Sequence, residues 1–359
     1  MQTFAFGRTK MLGVVLALAL SILVALPASA ASYKGAFLVA DTSGIAPNTD
    51  PNLINPWGIS FSSTGDFWVS DNNSGFSTLY NTTGVPNALV VTIPSATGVG
   101  TGTPTGTVFN NTTGFVVTAN GKSGVAQFLF DSEDGVITGW SPSVNMTAAV
   151  IAVNNSSSGA VYKAMELANN GTATFLYVCN FFSAKIEVYD QNFKPATLSG
   201  SFTDPHLPTG WAPHNIRNIN GQMYVAYAKQ NATKTDAVTG PGLGFIDVFD
   251  LNGNFIKRFA QKGKLNAPWG LALATANFGT FSNDLLIGNL GDGTINAFDP
   301  TTGAVLGTLS NAAGKPIRLP GLWGLMFGNG GQGGLKDTLY FTSGPSAYAH
   351  GRFGSITAQ

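Results

Sequence analysis

From Tyr33 onward, apolar residues come in short runs, many alternating with Ser, Thr or Asn, and each run is broken by Gly, Asn, Asp or Pro. Runs of this kind are β-strands separated by turns. One run recurs as Pro56-Trp57-Gly58-Ile59-Ser60-Phe61, Pro268-Trp269-Gly270-Leu271-Ala272-Leu273 and Leu322-Trp323-Gly324-Leu325-Met326-Phe327. Weaker copies begin at Pro104, Tyr162 and Pro213. The second residues of the six copies are Trp57, Thr105, Lys163, His214, Trp269 and Trp323, spaced 48–58 residues apart with a mean of about 53. A second marker repeats with the first: Asp71 precedes Tyr80, Asp131 precedes Trp140, Asn180 precedes Tyr189 and Asn289 precedes Phe298, each by nine residues. Each pair brackets a strand, a turn and a strand, as around Gly291-Asp292-Gly293, where Asp-Gly is a hairpin signal. Two copies carry insertions, between Tyr227 and Phe249 and between Ser343 and Ser355.

Six copies of one β unit predict an all-β, six-bladed β-propeller. A β-sandwich has no six-fold period, and a parallel β-helix has a much shorter one. The last copy supplies only three strands before Gln359, so Tyr33–Ala40 is predicted to pair with it as the fourth, closing the ring and removing an exposed sheet edge.

The N-terminal thirty residues read differently. Arg8 and Lys10 precede the apolar run Met11–Leu26, and Ala28-Ser29-Ala30 follows. This is the layout of a secretory signal peptide; the run is shorter than the ~20 residues that span a bilayer. Residues 1–30 are therefore expected to be removed, leaving 31–359 as a single exported, monomeric propeller domain with no transmembrane segment. Composition narrows the partners. The 359 residues carry 18 basic and 18 acidic side chains, which excludes an electrostatic nucleic-acid binder. One cysteine excludes an intramolecular disulfide framework.

The segments Pro56-Trp57-Gly58-Ile59, Glu133-Asp134-Gly135-Val136-Ile137, Gly244–Asp250, Asn266–Leu271, Gly291–Asp299 and Gly321–Leu325 carry a resemblance. Over residues 33 to 356 the chain resembles an uncharacterised family of exported bacterial β-propeller proteins with NHL-like repeats. That resemblance implies a propeller and a periplasmic, cell-surface or extracellular location, and it implies no activity.

In a propeller the start of each inner strand and the end of its neighbour lie on one face, so the two markers define two rings. The first is Trp57, Thr105, Lys163, His214, Trp269 and Trp323; the second is Asp71, Asp131, Asn180, Tyr227, Asn289 and Ser343. Thr105, Tyr227 and the three tryptophans either pack the axis or form a platform for an apolar or sugar-like ligand. His214 and Lys163 are candidate catalytic groups, with His214 either a general base or a hydrogen-bonded structural residue. Asp71, Asp131, Asn180 and Asn289 either cap turns or offer hard oxygens to Ca2+, with Glu166 as a further carboxylate. Exported gluconolactonase-like propellers use a channel metal of this kind, by analogy of fold alone. Cys179 lies in an apolar strand and reads as a buried thiol. The insertion 229–243 is a candidate lid. The expected function is a binding or scaffold module presenting one face to a glycan, peptide or surface partner; the alternative is a metal-assisted hydrolase or lactonase. Complete serine-hydrolase, Walker, zinc-protease and thiol-redox motifs are absent.

Overall fold

The computed structural model describes residues 32–359, together with residues 1–3, 5 and 7. The segment 8–30, on which the signal peptide is predicted, lies outside the described residues.

Among the described residues the strands assemble into six blade sheets, one for each copy of the repeat, and a separate two-stranded hairpin. The blade strands pair antiparallel, and a short parallel pair, Val39–Ala40 with Asn48–Thr49, is added at the edge of the last blade. Blade 1 runs outward from the axis as Pro56–Ser60, Phe67–Asp71, Phe76–Tyr80 and Val91–Thr92. Blade 2 is Pro104–Phe109, Phe128–Ser132, Val136–Trp140 and Val150–Asn154. Blade 3 has Tyr162–Asn169, Thr174–Asn180 and Lys185–Tyr189. Blade 4 has Trp211–Ile219, Gln222–Gln230, Phe245–Phe249 and Phe255–Gln261. Blade 5 has Pro268–Leu273, Leu285–Asn289, Ile295–Phe298 and Val305–Thr308. Blade 6 combines Leu322–Phe327, Leu339–Ser343 and Arg352–Ala358 with Tyr33–Ala40 from the other end of the chain. The closing pair runs from Tyr33 opposite Ala358 to Ala40 opposite Arg352, and the Tyr33 hydroxyl donates to Phe278 O in blade 5.

Two features were not legible. Blade 3 stops at three strands, because after Tyr189 the chain makes a single bridge at Pro195 and then leaves the sheet. Blade 2 carries an added hairpin, Val116–Ala119 with Lys122–Val125, between its first two strands.

The Trp-Gly pairs follow from how closely the inner strands approach. A Cβ on Gly58 would stand 2.6 Å from Thr105 O, one on Gly324 2.6 Å from Trp57 O, and one on Gly270 2.8 Å from Trp323 O. Side chains at that position would be driven into the next blade's backbone, so only glycine fits there. Further hydrogen bonds cross between blades: Thr342 Oγ1 donates to Trp57 O at 2.6 Å, Thr105 Oγ1 to Tyr162 O at 3.1 Å and Asn215 Nδ2 to Trp269 O at 2.5 Å. Each blade is thus covered on both faces by its neighbours, which is why the inner strands are buried along most of their length.

Candidate functional site

Antiparallel register places both rings at one mouth of the propeller. Pro56 lies opposite Asp71, Tyr162 opposite Asn180, Pro213 opposite Tyr227, Pro268 opposite Asn289 and Leu322 opposite Ser343. In blade 2 Pro104 faces Ser132, next to Asp131.

The tryptophans close the axis. Trp57 and Trp323 stack with ring centroids 3.5 Å apart, and Trp269 stands edge-on to them at 6.2 and 6.0 Å. Trp269 Nε1 donates across the axis to Lys163 O, and Trp323 Nε1 to Asn55 Oδ1. Beneath them the axial space is about 20 Å³, between Gly58, Gly106, Ala164, Asn215 and Gly324. That is room for about one water. The platform residues are therefore packed as a plug, and Thr105 and Tyr227 are buried with them.

His214 is buried against Phe181 and Trp323. Its Nδ1 lies 2.9 Å from Pro268 O, and since a carbonyl can only accept, Nδ1 carries the proton. Burial, with a smaller contribution from the Lys163 charge, pushes its pKa down to about 3. The imidazole is neutral across the physiological range, and its Nε2 is left as an acceptor. Lys163 is the buried cation of the mouth, 1% exposed. Its ammonium contacts the carboxylate of Glu133, lies 3.4 Å from Asp236 Oδ1 and sits over the Trp57 and Phe181 rings at 5.1 and 5.7 Å. Neither Glu133 nor Asp236 was expected at the site from the sequence. Glu133 is in the turn that follows the Asp131 marker, and Asp236 is in the insertion.

The second ring is spent within its own blades. Asn180 Oδ1 accepts from Val161 N and Ser183 N while its amide donates to Glu187. Asn289 Oδ1 accepts from Asn266 N and its amide donates to Lys264 O. Asp71 Oδ2 accepts from Thr78 Oγ1, and Asp131 Oδ1 from Gly106 N and Thr105 Oγ1. Asp71 Oδ1 and Asp131 Oδ2 are buried without a hydrogen-bond partner among the described residues. Burial raises both carboxyls, Asp131 to about 7 and Asp71 well above its usual range. Among the described residues no three His, Cys, Asp or Glu side chains gather as metal ligands. The expected Ca2+ set does not fit. Its amide oxygens already accept from backbone N–H groups, and its carboxyls lie in blades 1 and 2 in surroundings that favour their protonated forms. Glu166 does not join it: its carboxylate accepts from Leu167 N and Asn218 N and faces Arg217, about 10 Å along the strand from Lys163 at the usual rise. Cys179 is buried, and burial pushes its thiol pKa well up.

What remains open at the mouth is built by loops. The insertion extends blade 4 as a hairpin, with Ala237–Val238 pairing back onto Lys229 and Gln230. Across from it Ser346, Ala347 and Tyr348 are successive left-handed residues, with φ of 57°, 53° and 68°. Such a run is rare outside glycine and is strained. It holds the Tyr348 ring 5.9 Å from that of Trp323, and Tyr348 O accepts from Asn73 Nδ2. Burial raises the Tyr348 hydroxyl, with added contributions from the nearby Asp236 and Glu133 charges. Between these loops and blade 5 lies a cleft of about 410 Å³ lined by Thr239, Asp292, Arg318, Pro320 and Tyr348.

No model of a known protein family matches the chain. Two uncharacterised proteins of Acanthamoeba polyphaga mimivirus are each 34% identical to it over 302 residues. The aligned region covers 82% of this chain and 73% and 79% of theirs. The chain belongs to the family of these mimivirus proteins. Because these members are viral, the bacterial affiliation expected from the sequence has no support in them. Two solved structures match the fold. The PQQ-bound aldose sugar dehydrogenase of Streptomyces coelicolor aligns over 93% of this chain and all of its own, with a TM-score of 0.54 and 13% identity. The apo-form soluble aldose sugar dehydrogenase of Escherichia coli aligns over 91% of this chain and all of its own, at 0.55 and 11%. At such identity the likeness shows the propeller fold alone. Among the described residues no helix is long and apolar enough to cross a membrane.

Proposed function

We propose that this propeller is a binding module whose loop face receives a glycan, peptide or surface partner in the cleft beside Tyr348 and Arg318. One observation carries this reading: the buried Lys163 and His214 are engaged by partners inside the protein, while the cleft next to them is open. With burial against Phe181 and Trp323 lowering its pKa to about 3, His214 is too weak a base to take a substrate's proton near neutral pH. Arg318 and Tyr348 offer a charged fork and an aromatic face, the side chains that dominate recognition sites. We also propose export, on the Arg8-to-Ala30 pattern, and an NHL-like repeat ancestry, on the Trp-Gly segments.

The test is binding of the purified chain to arrayed neutral and acidic oligosaccharides and peptides, beside Arg318→Ala and Tyr348→Ala. Binding to one class that both substitutions weaken at least tenfold supports the module. Turnover of a lactone that is lost on chelation and in His214→Ala would overturn it in favour of a metal-assisted hydrolase. For export, the mass of the protein recovered outside the cytoplasm should correspond to a chain beginning at Ala31; recovery of the intact chain in the cytoplasm would refute it.

A further inference from the structure

We propose that Lys163 anchors a separate site for a small organic carboxylate, and that Asp236 of the blade 4 hairpin occupies it as a built-in competitor. This site is distinct from the cleft above, whose lining includes neither residue.

Lys163 meets two carboxylates that differ in kind. Glu133 is 24% exposed, contacts the ammonium closely and is held from behind by Asn72 Nδ2 at 2.9 Å. It neutralises the buried cation. Asp236 is 68% exposed and stands 3.4 Å from Nζ, longer than a charge-assisted hydrogen bond of ~2.7–2.9 Å. Its carboxylate is exposed and lies beyond charge-assisted hydrogen-bond length, so of the two partners of Lys163 it is the one that a competing anion displaces. The rest of the hairpin tip is bonded to itself. Asn231 Oδ1 accepts from Thr235 N at 3.0 Å and Thr233 Oγ1 at 3.1 Å, Asn231 N donates to Asp236 O, and Thr235 Oγ1 donates to Asp236 Oδ2. The tip can therefore withdraw as a unit and keep these bonds, turning between Gln230, which is tied to Phe181 O, and Gly240, which is tied to Asn266.

The place that Asp236 reaches has the makings of a ligand site. Aromatic faces of Trp57 and Phe181 lie under the ammonium. Trp57 Nε1 is a buried donor without a partner among the described residues, and the neutral His214 adds an acceptor nearby. A buried cation whose second carboxylate partner is exposed and loosely held suits a small organic carboxylate that takes that partner's place. A sugar acid and an aromatic acid both have that chemistry.

Trp57 and Trp323 report on the site through their fluorescence. The full chain, Asp236→Asn and the charge-neutral pair Lys163→Met with Glu133→Gln are titrated with glucuronate and with benzoate. Methyl glucoside and benzyl alcohol serve as neutral counterparts. The Asp236→Asn protein is expected to bind one of the two acids at least tenfold more tightly than the parent, and the acid that saturates identifies the ring type. The neutral counterparts and the double variant are expected not to saturate. The proposal is overturned if neither acid saturates Asp236→Asn, if the neutral compounds bind equally well, or if the folded double variant still binds.

Discussion

Trp323 touches more of the mouth than any neighbour in the ring, stacked on Trp57, edge-on to Trp269 and bonded through Nε1 to Asn55. Trp323→Ala should cost about 3–5 kcal/mol in urea unfolding, because the plug has no mobile side chain to refill the space. A cost below about 1 kcal/mol would mean that the tryptophans do not support the axis. Asp131 gives a pH signature. Its folded pKa, raised to about 7 by burial, lies above the 3.8 of an ordinary aspartate. From pH 4 to 7 the unfolded chain has released the proton that the native state still holds. Stability contributed by this group is therefore complete below about pH 4 and is lost as pH rises through 7, by up to ~1.4 kcal/mol per unit. Asp131→Asn should flatten the fall in stability between pH 4.5 and 7; an unchanged slope would show that Asp131 is ionised in the native state. Such behaviour lay beyond the sequence. Asp131 and Asn180 read alike as polar ring members, and only burial and partners separate an orphaned carboxyl from a satisfied amide.

At the scale of the element, the third residue of each inner strand decides how closely blades can meet. Gly324→Ala should lower stability by about 1–3 kcal/mol, since its Cβ would stand 2.6 Å from Trp57 O and neither backbone can move alone. Urea midpoints compared with those of Gly98→Ala, in an open loop with nothing within 4 Å of its Cβ, would check this; equal effects would mean only that left-handed strain at Gly98 matches the clash at Gly324. The repeat made these strands legible because every copy solves the same packing problem, down to the weak copies at Thr105, Lys163 and His214. The truncated blade 3 was hidden for the opposite reason. Residues 190–204 have the composition of any other turn-rich connection, and whether they pair with Lys185–Tyr189 depends on where the chain must go next. One unused signal did exist. Asp71 and Thr78, like Asn180 and Glu187, are seven residues apart and hydrogen-bonded across a hairpin, and Asp131 with Thr138 repeats that spacing.

For the molecule as a whole, closure rests on Tyr33–Ala40, whose pairing with Arg352–Ala358 turns six sheets into a ring. A chain starting at Asp41 should expose the Arg352–Ala358 edge and aggregate, and a peptide of residues 32–40 added in trans should restore a soluble, cooperatively melting protein. Size-exclusion profiles and thermal melts with and without peptide decide it; a soluble, cooperative truncated chain would show that the remaining strands suffice. The same pairing also imposes an order in time. Tyr33 meets Ala358 across a loop of more than three hundred residues, so the strand made first must wait unpaired until the strand made last has emerged. Blades can form one after another during synthesis, but the ring cannot, and its completion is a single late step carrying the slow rate of distant contacts.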